Sequence, residues 1–393
     1  MNIEIVEPAR TVQVVDEFDV VVVGGGVAGA AAAIAAARNG ARVALIEKEN
    51  ALGGLATLGL VVIYLPLCDG KGRQVIGGLG EELLKLSVRF GGEAIPDCWT
   101  RPASREERIE KRYRVTFNAA GFAIALEELL LQLSITLMFD TRFCDVVMDD
   151  GHITAVIVEN KSGRLAVGCK TVVDASGDAD VCHRAGEETV SLDTNRRSGW
   201  YFAAGNGKIE IRYPGDPYWL EVPEGKRTYR GDKWEDVSEM SIQSRLLIKE
   251  DIQKLRAERG DDSLIPLIIP TLPQFRMTRR LKGAFELDED DEGQVFEDTV
   301  GMTGDWRKPG PVFCIPFRSL VGVKTDNLIT AGRCISVTTS AWEITRAIPA
   351  CVVTGEAAGT AAAVATGLQG RFSELCVAEL QERLREQGVI LPE

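Results

Sequence analysis

Histidine is nearly missing from this chain: His152 and His183 are the two it has in 393 residues. General acid–base chemistry runs most often through histidine, and neither of these invites that role. His152 falls in a hairpin turn and reads as solvent-exposed, and His183 follows a glycine turn and reads as structural. No Cys-x-x-Cys pair occurs, and the nine cysteines are scattered without zinc-like spacing, so the pattern offers no metal site and no redox disulfide. Reduced thiols in a cytoplasmic protein are the plain reading. The rival reading is one redox-active thiol, with Cys334 and Cys351 as candidates. No apolar run reaches the roughly 18 residues that a membrane helix needs. Met1 to Arg10 carries acids and no apolar stretch, so no secretory leader is expected. Positive charge is in deficit, with 45 Lys and Arg against 58 Asp and Glu for a net of −13. Such a field disfavours nucleic acid and anionic membranes as main partners. A cytoplasmic protein acting on a small molecule is the expectation, with self-association left open.

What is present begins with a strand. Asp19 to Val23 is apolar and β-branched, as a buried parallel strand requires. A glycine cluster follows, then an alanine-rich helix over Val27–Asn39 with Gly40 where a helix C-cap belongs. Arg42 to Ile46 is a second strand, closed by Glu47, which completes a βαβ unit. Gly24-Gly25-Gly26-Val27-Ala28-Gly29 fits G-x-G-x-x-G between strand and helix. Gly24 permits the tight turn, Gly26 lets the backbone approach a pyrophosphate, and Gly29 lets helix and sheet pack closely. The helix start offers N–H groups and a positive dipole end to phosphates. Glu47, about twenty residues on, can accept hydrogen bonds from a ribose. Together these predict a dinucleotide site.

Further along, the charge run Arg101–Arg114 reads as a solvated helix or loop, and Phe122–Leu133 as a helix with Leu126, Leu129, Leu130 and Leu133 on one face. Hairpin signals at Asp149-Asp150-Gly151 and Lys161-Ser162-Gly163 predict a three-stranded meander that feeds a separate final strand, Thr171–Asp174. The segment 190–310 holds four of the six tryptophans, Trp200, Trp219, Trp234 and Trp306, and reads as a second, capping domain. A strand over Asn327–Ala331, an alanine-rich helix over Ala350–Thr366 and an amphipathic helix over Ser373–Gln387 close the chain.

Three further motifs resemble the FAD-dependent oxidoreductase family, specifically its glutathione-reductase-like flavoproteins. After Glu47-Lys48 comes the doublet Gly53-Gly54 with Leu55, Ala56 and Thr57. Asp174-Ala175-Ser176-Gly177-Asp178 is similar to the turn that ends the meander in that family. Asn327 to Ser336, with Ala331-Gly332-Arg333, and then Arg346, Pro349, Cys351 and Gly355-Glu356-Ala357-Ala358-Gly359 resemble its closing segment. The resemblance implies bound FAD. It puts the doublet against the flavin, Ala175, Ser176 and Gly177 by the adenosine and pyrophosphate, and Phe143 on the strand that meets the adenine. It puts Gly332 and Arg333 beside the ribityl chain. The late helix, including Gly355, Ala357 and Ala358, then directs its N-terminus at the flavin pyrimidine, where oriented N–H groups stabilise the charge of the reduced ring. Two departures stand out. Thr339 occupies the place where the family commonly has a histidine, and Met277 replaces an acid in Arg276-Met277-Thr278-Arg279-Arg280. Catalytic candidates are therefore Glu343, Arg346 and Arg276, the arginines for a substrate carboxylate or phosphate; for Arg276 an inter-domain ion-pair network is the competing reading.

The expected fold is α/β: a FAD-binding Rossmann-like domain with a parallel sheet and β-meander, plus a mixed α+β substrate or cap domain. Residues 1–60, 115–189 and 311–393 make the discontinuous FAD-binding domain, and 61–114 with 190–310 the cap. The expected activity is hydride transfer from a small organic substrate to flavin N5, with no metal. One fingerprint and no Cys-x-x-Cys argue against a disulfide reductase. An NAD(P)-dependent dehydrogenase and a FAD-bound non-catalytic module are the alternatives.

Overall fold

The computed structural model describes residues 5, 7–217 and 222–392; Trp219 of the tryptophan-rich segment and Met1–Glu4 of the acidic start lie outside the described residues. The chain enters through β1 (Gln13–Val23), turns at the glycines into α1 (Val27–Arg38) and returns as β2 (Val43–Ile46). Ala30 to Ala36 of α1 are no more than 1% exposed. A helix apolar on every side belongs in an interior, and alanine lets it lie close to two neighbours at once. Gly40, at φ +85, takes the left-handed position just past the helix, as expected.

Next come β3 (Ile63–Tyr64), α2 (Gly78–Ser87), α3 (Arg105–Glu110), β4 (Val115–Thr116), α4 (Ala119–Gln132) and β5 (Thr136–Met138). The charge run forms α3, which buries no residue and is closed by a Ser104–Glu107 capping box. Helix α4 starts earlier than its apolar face suggests, because the Asn118 side chain accepts the Gly121 N–H at 2.8 Å and caps it. Segment 61–114 contributes Tyr64, Leu67, Val75, Leu83 and Tyr113 to the core that also holds α1.

The meander follows as β6 (Arg142–Asp149), β7 (His152–Asn160) and β8 (Gly163–Asp174). Asp150 and Gly151 have φ +43 and +77, the pair of left-handed residues that a type I′ hairpin needs. The expectation of a separate final strand is corrected. β8 is continuous, pairing antiparallel with β7 through Gly163–Gly168 and running on beside β1 to Asp174. The sheet has seven strands, six in the order β5-β2-β1-β8-β7-β6 and a seventh that joins β8 off this path. β5, β2, β1 and β8 are parallel.

The next stretch contains α5 (Asp180–Arg184), which carries an exposed His183, then β9 (Thr189–Ser191), β10 (Tyr201–Gly205), β11 (Lys208–Arg212), α6 (Trp234–Arg259), β12 (Ile265–Ile268) and β13 (Arg279–Leu281). Strands order β11-β10-β12. Tyr201, Ala203 and Leu264 with Ile248, Ile252 and Leu255 of α6 form a small core of their own. The chain then returns through the hairpin β14 (Thr299–Gly304) and β15 (Val312–Pro316), β16 (Leu328–Thr330), α7 (Thr339–Thr345), α8 (Ile348–Ala365) and α9 (Val377–Glu386). β16 adds parallel to the end of β8, where β7 has peeled away. Asn327, fully buried, seals that junction: its Oδ1 accepts the Ile153 N–H at 2.8 Å, and its Nδ2 donates to the carbonyls of Ile153 at 2.8 Å and Lys170 at 2.9 Å. Ile348–Leu368 is long and apolar enough to cross a membrane, with mean hydropathy 1.4, yet 94% of that window is buried inside the protein.

Candidate functional site

The turn from β1 into α1 meets each demand placed on its glycines. Gly24 sits at φ +103, and a β-carbon on it would stand 2.4 Å from the Ala175 carbonyl oxygen. A β-carbon on Gly29 would stand 1.8 Å from the Gly24 oxygen, so helix and strand touch backbone to backbone. Gly26 is the opposite case: nothing lies within 4 Å of its missing side chain. It is the N-cap of α1, which has no capping side chain. Val27 and Ala28, 8% and 7% exposed, follow in the first turn. An interior helix start with open space before it and no cap calls for a partner, and anionic phosphate is the partner its N–H groups and dipole favour.

Glu47 closes this turn from below. Its carboxylate accepts the Gly25 N–H at 2.6 Å and the Glu49 N–H at 2.8 Å. Burial raises its pKa, while those two backbone donors and the neighbouring charge of the exposed Lys48 pull it down. The doublet lies directly alongside: the Gly53 N–H donates to the Gly25 carbonyl at 2.8 Å, and a β-carbon on Gly54 would stand 3.1 Å from the Gly26 Cα. Gly53 and Gly54 have φ +98 and +54. Leu55 and Ala56 complete a single 3-10 turn, and the Thr57 hydroxyl donates to the Leu52 carbonyl at 2.5 Å. Leu60 ends the loop buried at φ +56, a conformation that costs a non-glycine residue about 1 kcal/mol or more.

Ala175, Ser176 and Gly177 hang over the same turn. Asp174, wholly buried, accepts the Ser176 N–H at 3.1 Å, its hydroxyl at 2.6 Å and the Cys182 N–H at 3.0 Å. Gly177 has φ +84, and a β-carbon there would meet the Arg333 guanidinium at 2.6 Å. Arg333 pairs with Asp178 at 3.2 Å, while its Nε is buried without a partner. Gly332, at φ +70, leaves no room for a side chain against Ala28, whose Cβ would be 2.7 Å away. The early and late motifs therefore meet. Phe143 lies on the outer strand β6, paired with Val158, and packs against the cluster that holds Val23 and Ile46.

Gly355, Ala357 and Ala358 require a correction. They lie in the interior of α8, and a β-carbon on Gly355 would be 2.3 Å from the Ala28 oxygen. Gly355 serves to seat α8 on α1, and Ala357 and Ala358 are buried in the core around it. The free end of α8 is Ile348–Cys351, which follows Ala347, again without a capping side chain. Beside it, Arg346 forms an ion pair with Glu343, both mostly buried. The indole N–H of Trp306 holds the Glu343 carbonyl at 3.0 Å, and the Arg346 Nε is buried without a partner.

In the basic stretch, the Arg276 N–H is tied to the Asn195 side chain at 2.8 Å. Arg279 binds the Asp178 carbonyl at 2.9 Å and the Asp180 carboxylate at 2.6 Å, and Arg280 pairs with Glu286 at 2.6 Å. Arg279 thus makes an ion pair to a distant segment, and Arg280 a local one six residues along the chain. The cysteine candidates are packed as inert thiols. Cys334 is fully buried and accepts N–H groups from Gly177 at 3.2 Å and Ala179 at 3.3 Å. Burial pushes its thiol well up, and that of Cys351 to about 11.

Gln274 escaped the sequence reading, and Glu356 entered it only as one letter of the closing motif. Both are buried polar groups with partners 215 and 277 residues away in the chain, and no local pattern announces either contact. Two uncapped helix starts, the open space at Gly26 and the orphaned Arg333 Nε fit an extended phosphate-bearing cofactor.

Comparison with known proteins bears on the same elements. The chain matches the family model described as FAD dependent oxidoreductase over residues 19–198 and 187–384. Among solved structures it is similar to the p-nitrophenol 4-monooxygenase PnpA from Pseudomonas putida DLL-E4, at 13% identity and TM-score 0.52, covering 94% of this chain and 83% of that one. It is also similar to CabE, an aromatic hydroxylase from angucycline biosynthesis, at 14% identity and TM-score 0.49, covering 94% and 68%. A third is a geranylgeranyl bacteriochlorophyll reductase-like protein from Thermoplasma acidophilum, at 13% identity and TM-score 0.46, covering 95% and 84%. At 13% identity the likeness to PnpA speaks to fold alone. The family match runs through both helix starts, and the chain belongs to the FAD dependent oxidoreductase family, enzymes that work through FAD.

Proposed function

We propose that the enzyme oxidises a small organic substrate directly, at a C–H bond next to oxygen or nitrogen. Bound FAD supplies the two-electron chemistry by accepting a hydride at N5. The chain supplies binding and electrostatics. The open start of α1 at Gly26 holds the pyrophosphate, and Glu47, already fixed by two backbone donors, accepts the ribose hydroxyls. The Gly53–Thr57 backbone would lie along the flavin, in keeping with the resemblance of the Gly53-Gly54 doublet to the glutathione-reductase-like flavoproteins. The start of α8 and Arg333 stabilise negative charge at the pyrimidine end. Arg346, held by Glu343, binds a carboxylate or phosphate of the substrate. Residues 190–310 cap the site and select the substrate, with 1–60, 115–189 and 311–393 carrying FAD.

The observation that carries this reading is the single strand–glycine–helix unit among the described residues. The remaining sheets outside the seven-stranded one contain only antiparallel pairs, so no second dinucleotide fold accompanies it there. The test is anaerobic mixing of FAD-loaded protein with a panel of short 2-hydroxy acids, amino acids and amines, and separately with NADH and NADPH. Bleaching of the flavin by one substrate class without nicotinamide is expected. Bleaching by nicotinamide alone overturns the reading.

A further inference from the structure

The loop after the doublet presents two successive carbonyls to the cap, and the cap holds both. The Leu58 oxygen accepts the N–H groups of Thr271 at 3.0 Å and Leu272 at 3.3 Å. The Gly59 oxygen accepts the Gln274 Nε2 at 2.6 Å. Gln274 is 3% exposed, so this bond forms in an interior, where an unmade partner is costly. Its own Oε1 is fixed by the Ser198 hydroxyl at 2.5 Å, and the Ser198 N–H donates to the Ser244 hydroxyl at 3.2 Å, on α6. A fully satisfied buried chain thus runs from the cap helix to the loop Gly53–Leu60. That loop ends in the left-handed Leu60, and such a conformation persists only where its surroundings over-determine it.

We propose that Gln274 is a positioning residue: through the Gly59 carbonyl it locks the loop Gly53–Leu60 to the cap, and so sets where the Gly53–Thr57 backbone stands against the flavin. This rests on the reading above that the loop borders the flavin. Thr271 and Leu272 hold the loop by main chain alone, so Gln274 is the side chain of this contact that substitution can switch. Gln274→Met keeps its length and removes both polar ends. Gln274→Glu keeps its shape but puts an acceptor against the Gly59 oxygen. Ser198→Ala leaves the Gly59 bond intact and frees the amide behind it.

The experiment loads each full-length variant with FAD and records the visible flavin spectrum and the midpoint potential by dithionite titration against a reference dye. Fluorescence titration gives the FAD affinity. The expected result is retained FAD binding with an altered flavin spectrum and about a tenfold change in the reduction equilibrium constant, about 30 mV for a two-electron couple, in both Gln274 variants. Ser198→Ala shifts the same way by less, and carries the test should the Gln274 variants fail to fold. Gly54→Ala, inside the loop, is the control. If it moves the flavin signals while the Gln274 and Ser198 variants keep wild-type potentials, the inference falls and the site reading stands. If none of the variants moves them, both fall together.

Discussion

Replacing Glu356 by glutamine should make the protein more stable at neutral and alkaline pH, and the gain should grow as pH rises. Glu356 lies on the face of α8 turned to α2 and is 2% exposed. Its carboxyl accepts one N–H, from Leu79 at 2.9 Å, and both its oxygens crowd Gly78, too close for any side chain there. Burial is the largest influence and pushes the carboxyl up from 4.5 to about 8; the Leu79 N–H pulls it down, Glu82 pushes it up and Arg38 pulls it down. A carboxyl whose pKa is raised by folding contributes stability that is complete below its unfolded pKa and is lost as pH climbs through its folded one. Each pKa unit is worth about 1.4 kcal/mol, so the whole window is worth at most about 5 kcal/mol and the part lost by pH 7 about 3 kcal/mol. Glutamine is neutral throughout and can still accept the Leu79 N–H, although its amide N–H₂ then needs a partner of its own. Chemical denaturation of FAD-saturated wild type and Glu356→Gln, from about pH 5 to 8.5, isolates this group, because every other titration is common to both. Near pH 5 the two should be close, with glutamine level or slightly worse; at pH 8 glutamine should lead. A gap that is flat, or that favours glutamate more as pH rises, would show that the carboxylate stays charged as a cap on the start of α2, and the reasoning from burial would be wrong.

Gly29→Ala forces a β-carbon onto the Gly24 oxygen, an overpacking of rigid backbone worth about 1–3 kcal/mol, and should release FAD measurably more readily in fluorescence titration than wild type. Asn327→Ala orphans backbone groups of Ile153 and Lys170 at the point where β8 changes partner. It should cost about 3 kcal/mol in urea denaturation, and a loss below about 1 kcal/mol would mean that water repairs the junction. Ellman's reagent should label the exposed Cys376 first in native protein and reach the buried Cys334 and Cys351 only on unfolding; early loss of either buried thiol would reopen a redox role.

What was legible in the sequence was whatever a residue demands of its own immediate backbone. Gly24, Gly29, Gly40, Gly53 and the Asp150-Gly151 hairpin declare themselves because each serves a turn or a close approach that other residues resist, and all sit where their neighbours in sequence put them. The failures share one cause, which is that the decisive partner is distant. Hairpin signals mark where a strand turns but not where it exchanges one neighbour for another, so β8 was divided in two. Leu67 and Val75 enter the main core one at a time from irregular chain, with no period to betray them. Gly355 and Gly359 look alike whether the close neighbour is a cofactor or a helix, and here it is α1. Gln274 is a single polar letter, and Glu356 was read for its motif alone; the partners of both lie hundreds of residues away.

The correction at Gly355 strengthens the case for one cofactor between the two helices. Gly355 lies on Ala28 and Gly359 on Ala32. Both contacts advance by one helical turn together, so α8 and α1 run side by side in the same direction. Their positive ends therefore open toward the same side of the sheet. Ala28 follows the first residue of α1, whereas Gly355 is two turns into α8, so at 1.5 Å per residue α8 begins about 9 Å further out. Small residues along the seam fix that offset, because larger ones would part the helices or slide their register. Two parallel dipoles, staggered by about 9 Å and both uncapped, offer separated points of positive potential to one extended anion. Phosphates at the near point and a reduced flavin ring at the far one suit that spacing. A compact ligand would meet one helix start and leave the other unsatisfied.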